Sequence, residues 1–170
     1  MAGATVVHVM RHGQVHNPDG VLYGRLDGFG LSDLGLQMAE RLAEHWRRIP
    51  LTHLASSPLL RARGTLAPTA ALFPHLEVAI DDRLIEAANA FEGKVFGEDN
   101  KALRDVSMIR YVLNPLKPSW GEPYVEIAAR MRAAIVDAAA AAGERGQALL
   151  VSHQLPIEIA RRDATGALLP

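Results

Sequence analysis

The sequence predicts an α/β fold, a three-layer α/β/α sandwich on a mostly parallel central sheet, and three observations carry that expectation. Four short apolar runs of strand character, at residues 6–10, 51–56, 78–80 and 148–152, alternate with longer stretches of helical periodicity. Strands that alternate with helices need crossovers, which bring the strands parallel and lay helices on both faces. The 170 residues contain no internal repeat and no linker, so one domain spanning 1–170 is expected.

The first run, Val6-Val7-His8-Val9-Met10, is β-branched and too brief for a helix, and reads as a buried strand. It leads into Arg11-His12-Gly13. An arginine that can hold an anion through two hydrogen bonds, an imidazole and a glycine then stand at a strand's carboxyl end. Open α/β sheets bind ligands at that edge. His8, inside the strand, reads as a packing residue. Residues 14–30 are rich in turn formers, including Asn17-Pro18-Asp19-Gly20, and are long enough to wrap a site.

Ser32 has the character of an N-cap. Leu36, Ala39, Leu42, Ala43 and Trp46 follow at helical spacing, with Glu40, Arg41, Glu44 and Arg47 outside. The second strand ends in Ser56-Ser57-Pro58, where Pro58 suits the first turn of the next helix. That helix, residues 59–73, carries Arg61 in its opening turn, where its charge and the free backbone N–H groups favour an anion. Pro68 is expected to kink or split it. Phe91-Glu92-Gly93 and Asn114-Pro115 read as turns, and residues 101–112 as helical. Tyr124, Ile127, Ala128, Met131, Ala134, Ile135 and Ala138 form one apolar stripe that Gly143 closes. The last strand delivers Ser152-His153, and residues 156–163 should begin a helix behind it.

Composition removes several function classes. The net charge of -1 supplies no basic field for nucleic acid and no polybasic membrane patch. With no cysteine there is no disulfide, thiolate metal site or cysteine nucleophile. No apolar run approaches spanning length and the N-terminus lacks the pattern of a signal peptide, so a cytoplasmic protein without membrane association is expected. A metal site from His8, His12 and His16 lacks a matching carboxylate cluster, and His45, His53 and His75 are scattered. No metal and no cofactor are expected.

Two histidines at strand ends, Arg11, Arg61 and the carboxylate of Glu86 therefore converge on one edge of the predicted sheet. Two guanidiniums and an imidazolium suit a phosphoryl group, a neutral histidine can attack phosphorus, and a carboxyl can move the proton. This set resembles the histidine phosphatase superfamily, also called the phosphoglycerate mutase-like family. The resemblance runs from Val6 to about Pro156, through Arg11-His12-Gly13, Gly24-Arg25-Leu26-Asp27, Leu31-Ser32, Gly35, Ser56-Ser57-Pro58-Leu59, Arg61-Ala62, Thr65, Leu84, Glu86, Glu92-Gly93 and Val151-Ser152-His153.

The resemblance implies a phosphoglycerate mutase-like fold. It also implies that His12 is the phosphorylated nucleophile, that Arg11, Arg61 and His153 hold the phosphoryl group, and that Glu86 is the proton donor. Asn17 and the backbone N–H of Gln154 join the phosphate-binding set, although Asn17 lies one position closer to the first motif than in the family. Gln14, Gly64 and Gln154 stand where the family has Glu, Gln and Gly. The stretch from Glu86 to Glu92-Gly93 is one residue short. The family continues past its second histidine with a helix and a further strand, whereas this sequence ends at Pro170. A shortened fold is thus expected, with an open edge that a homodimer covers or that lowers stability. The implied activity is hydrolysis of a small-molecule phosphomonoester; mutase-type phosphoryl transfer and an inactive anion-binding protein are the alternatives. Arg25 is either a substrate contact or a loop residue, and Trp46, Trp120 and Tyr124 read as packing residues.

Overall fold

A computed structural model describes residues 4–95 and 121–169. Its elements are β1 (Val6–Arg11), α1 (Asp33–Trp46), β2 (His53–Ser56), α2 (Leu60–Ala70), β3 (Val78–Ile80), a 3-10 turn (Asp82–Leu84), α3 (Tyr124–Ala142), β4 (Gln147–Ser152) and α4 (Gln154–Thr165). The strands form one sheet in the order β1-β4-β2-β3, with every pairing parallel. The predicted helix at 101–112, the turn at Asn114-Pro115 and Trp120 lie outside the described residues.

The pleat sorts side chains into two cores. Leu149 and Val151 of β4 meet Leu54, Trp46 of α1, and Ala62 and Leu66 of α2 on one face. Ala148 and Leu150 point the other way, onto Ile127, Met131, Ala134 and Ala138 of α3 and Ile159 of α4. This is the expected three-layer arrangement. Burying each large aliphatic side chain in these layers contributes about 1.5–3 kcal/mol.

β4 is buried, as befits the central position with helices on both sides. β1 is not the buried strand expected. It pairs with β4 alone among the described residues, and Val6 is 41% exposed at the sheet's edge. His8 packs as anticipated, its Nε2 at 2.9 Å from Gln147 Oε1 and its ring against Trp46.

Three helix details depart from the sequence reading. Leu36 faces outward, because the buried side of α1 runs through Gly35, Ala39, Ala43 and Trp46. Gly35 rests on the Gln14 carbonyl, so closely that a Cβ there would lie 2.0 Å from that oxygen. Ser32 does cap α1, its hydroxyl accepting from Gly35 N at 3.0 Å. Pro58 precedes the N-cap Leu59 rather than lying in α2. α2 also runs through Pro68 without splitting, since the proline sits in its final turn while Ala62, Thr65, Leu66 and Thr69 anchor the helix by burial.

Candidate active site

The parallel register decides which side chains meet. Arg11 pairs with Ser152, and Ser56 with Val151, so His12 and His153 leave adjacent strands at one level, and Ser57 leaves the third strand opposite Ser152, one residue below them. The ladder continues one step past the strands through His12 N–H to Ser152 O at 3.2 Å and Ser57 N–H to Val151 O at 2.9 Å. The two imidazoles consequently face each other with ring centroids 5.0 Å apart.

His12 is almost fully buried, and its Nδ1 lies 2.7 Å from the Gly13 carbonyl. A carbonyl can only accept, so Nδ1 carries the proton and the lone pair is on Nε2. Burial, followed by the charges of Arg61 and Arg11, pushes the imidazole down to about 4 against the opposing pull of the Gly13 bond. At neutral pH His12 is an uncharged base whose lone pair at Nε2 accepts a long hydrogen bond from Arg61 Nε. Its loop is pinned from the opposite layer: Gly13 N–H donates to Thr65 Oγ1 at 2.8 Å, and that hydroxyl donates to Arg61 O at 2.7 Å.

Arg61, fully buried in the first turn of α2, aims Nε at His12 Nε2 over 3.3 Å and Nη2 at Gly24 O over 2.6 Å. The ring of Tyr23 lies beneath its guanidinium, 4.7 Å away. His153, also fully buried, places Nε2 at 2.8 Å from Ser57 Oγ. Burial and then the Arg61 charge hold His153 down at about 2, so it too is neutral. Arg61 Nη1 and His153 Nδ1 have no partner among the described residues, although both are buried. Buried polar nitrogens without partners are costly, and an oxyanion against His12 would satisfy both.

Glu86 follows the 3-10 turn, which β4 holds through Ser152 Oγ donating to Leu84 O at 2.7 Å. One carboxylate oxygen accepts from Ala87 N–H at 2.8 Å. Burial raises the Glu86 carboxyl above the ordinary carboxylate range, outweighing that bond and the charges of Arg61, Arg11 and Arg130. A carboxyl that resists ionisation is suited to donate a proton.

A cavity of about 460 Å³ opens beside these groups, walled by residues that include Arg11, His12, Tyr23, Glu86, Tyr124 and Gln154. A second, of about 560 Å³, lies on the other side of Arg11 and His12, towards Asn17, Leu34 and Met38. Asn17 borders that second cavity, and its amide spans its own turn, donating to Val21 O at 2.9 Å and accepting from Val21 N at 3.0 Å. Of the expected site residues, Arg11, His12, Glu86 and Gln154 therefore line the first cavity, and Arg61 and His153 stand behind His12. Among the described residues no three His, Asp or Glu side chains are grouped to hold a metal ion.

Sequence reasoning missed three participants. Tyr23 sits in the aperiodic loop, where an aromatic residue leaves no signal. Glu122 also lines the cavity, so Glu86 is not the sole carboxylate there. Arg130 lies off the apolar stripe of its helix, where a charged residue carries no signal of its own. Arg25, which the sequence left between two roles, is a structural brace: its Nε donates to Glu86 O at 2.7 Å and its Nη2 to Glu122 Oε2 at 2.8 Å.

Residues 7–169 match the family model of the histidine phosphatase superfamily, branch 1. The uncharacterized protein Rv0525 of Mycobacterium tuberculosis is 47% identical over 169 residues, which cover 99% of this chain and 83% of that protein. YhfR of Bacillus stearothermophilus has a similar structure, with a TM-score of 0.80, 23% identity, and coverage of 98% of this chain and 82% of that one. The mycobacterial glucosyl-3-phosphoglycerate phosphatase Rv2419c is 26% identical with a TM-score of 0.74, over 95% of this chain and 79% of its own.

Proposed function

The chain belongs to the histidine phosphatase superfamily, and from that premise we propose that it is a phosphomonoester hydrolase working through a phosphohistidine on His12. The observation that carries this reading is the pairing of a neutral, buried His12, its Nε2 unprotonated, with two buried nitrogens that lack partners among the described residues, Arg61 Nη1 and His153 Nδ1. A nucleophile and the donors for the oxygens of its target are then assembled at one point.

In the first step the Nε2 lone pair attacks phosphorus while Arg11, Arg61 and His153 hold the non-bridging oxygens. The bond from phosphorus to the ester oxygen breaks, and the Glu86 carboxyl gives its proton to that oxygen, so that the free alcohol leaves. In the second step the Glu86 carboxylate takes a proton from water as that water attacks phosphorus. The bond to Nε2 breaks, inorganic phosphate departs, and both His12 and Glu86 return to their starting forms. The arriving anion also supplies the negative charge that favours a protonated His153.

The cavity beside Glu86 is the size of a small-molecule pocket, and Leu22, Ala87, Tyr124 and Leu155 give it apolar walls. The substrate is accordingly a small phosphate ester. Hydrolysis rather than mutase transfer is favoured by the 26% identical relative, whose described activity is that of a phosphatase. The test is phosphate release from a panel of phosphomonoesters, with and without 2,3-bisphosphoglycerate. Enzyme quenched during turnover should carry acid-labile phosphate, and His12→Ala should lose both label and turnover. Full activity of His12→Ala would refute the mechanism, and transfer that depends on the bisphosphate would point to a mutase.

A further inference from the structure

A cluster of charged side chains bonded to the backbone around Glu86 has no role in the steps above. Glu122 accepts from Arg130 Nε at 2.7 Å and Nη2 at 3.0 Å, and from Arg25 Nη2 at 2.8 Å. Both arginines continue inward to main-chain oxygens of the acid loop. Arg130 Nη1 donates to the carbonyls of Arg83 and Ile85, and Arg25 Nε donates to that of Glu86. Three carbonyls, of Arg83, Ile85 and Glu86, are thereby held by two guanidiniums that share one carboxylate. The side chains of Glu122 and Arg130 are 14% and 15% exposed, so these bonds are shielded from water far more than a surface pair.

We propose that Glu122 is a positioning residue for the general acid: by bridging Arg25 and Arg130 it fixes the loop that presents Glu86 and neutralises the two cations bonded to that loop's carbonyls. The inference rests on the phosphatase reading for its kinetic consequences, though not for its electrostatic one. The charged groups around Glu86 come from every element packed there. Arg11 ends β1, Arg61 belongs to α2, Arg130 to α3 and Arg25 to the first loop. Glu158 of α4 also lines the cavity and is taken up by Arg161 and Arg162. Arg61, Arg11 and Arg130 all favour the ionised carboxylate at Glu86. Removing the negative charge of Glu122 leaves Arg25 and Arg130 uncompensated and strengthens that tendency.

Two variants separate this role from a merely structural one. In Glu122→Gln, Glu86 should titrate at lower pH than in the wild type; in Arg130→Gln, which removes a cation, it should titrate at higher pH. Carboxyl 13C NMR reads both without any need for turnover. General disruption of the loop would move the two in the same direction, and that result, or no movement in Glu122→Gln, overturns the proposal. In turnover, the ratio of kcat on alkyl phosphates to kcat on 4-nitrophenyl phosphate should fall about tenfold in Glu122→Gln, because only the alkyl leaving group needs the proton. Equal losses on both esters would also overturn it. A wild type that releases phosphate from neither ester would instead refute the phosphatase reading and leave the NMR titration to decide the placement of Glu122.

Discussion

Replacing Thr65 by Val tests how the nucleophile is held. Thr65 is fully buried, and Val keeps its shape while removing the hydroxyl that receives Gly13 N–H at 2.8 Å. The Arg61 carbonyl loses little, since an α-helix supplies it with the N–H four residues on. The Gly13 N–H, by contrast, is left in a dry layer without an acceptor, at a cost of about 1–3 kcal/mol. With roughly 2 kcal/mol lost, a chain of this size should melt about 4–8 °C lower. The same peptide carries the His12 backbone, so the ring loses the support that aligns Nε2, and kcat should fall about tenfold. Thr65→Ser, which restores the acceptor, should recover most of both. Thermal melts and steady-state kinetics on the three proteins suffice. A Val variant as stable and active as the wild type, or a Ser variant as damaged as Val, would refute the reasoning.

Glu86→Gln keeps the Ala87 contact but cannot transfer a proton, so turnover of alkyl phosphates should drop about 10²–10⁴-fold and that of activated aryl phosphates far less. Acid should destabilise the fold. The unfolded chain protonates His12 near 6.5 and the folded one only near 4, so stability is complete above 6.5 and drains as the pH falls from 6.5 through 4, by about 3 kcal/mol for His12 alone. Sulfate, whose charge is constant over this range, should raise the melting temperature more at pH 5.5 than at pH 8; equal shifts would place the anion away from the histidines. Gly35→Ala should cost at least about 2 kcal/mol, because its Cβ would meet the Gln14 carbonyl at 2.0 Å, and a normal melt would show that the loop yields there.

What could be read beforehand was whatever a local pattern encodes. His12 and His153 each close an apolar run, and a strand's end is visible in the few residues that form it. Arg61 stands one turn into a segment that Ser-Ser-Pro announces. The outward turn of Leu36 was hidden because periodicity counts apolar residues, whereas α1 makes its close approach through a glycine. The brace around Glu86 was hidden for a different reason. Arg25 and Glu122 are 97 positions apart, and nothing in either neighbourhood records the other. The edge placement of β1 belongs to the same class, since the strand order is set by crossovers and not by the run Val-Val-His-Val-Met itself.

β4, the latest in sequence of the described strands, is an inner strand of the sheet that sits between β1 and β2, and this has a bearing on how the protein is made. While the ribosome is still adding α3, β1 and β2 already exist, but neither has the neighbour that lies between them. Arg11 finds Ser152 only after some 140 further residues, an interval of roughly 10 s at ordinary elongation rates. Through that interval the nascent chain presents β1 without its partner, β2 paired on one side with β3 alone, and two half-formed cores, a state prone to association and a natural client for chaperones. Because so much of its pairing is remote in sequence, spontaneous refolding should also be slow for a domain of this size. A polypeptide released before residue 147 would hold His12, Arg61 and Glu86 and yet have no sheet to bring them together.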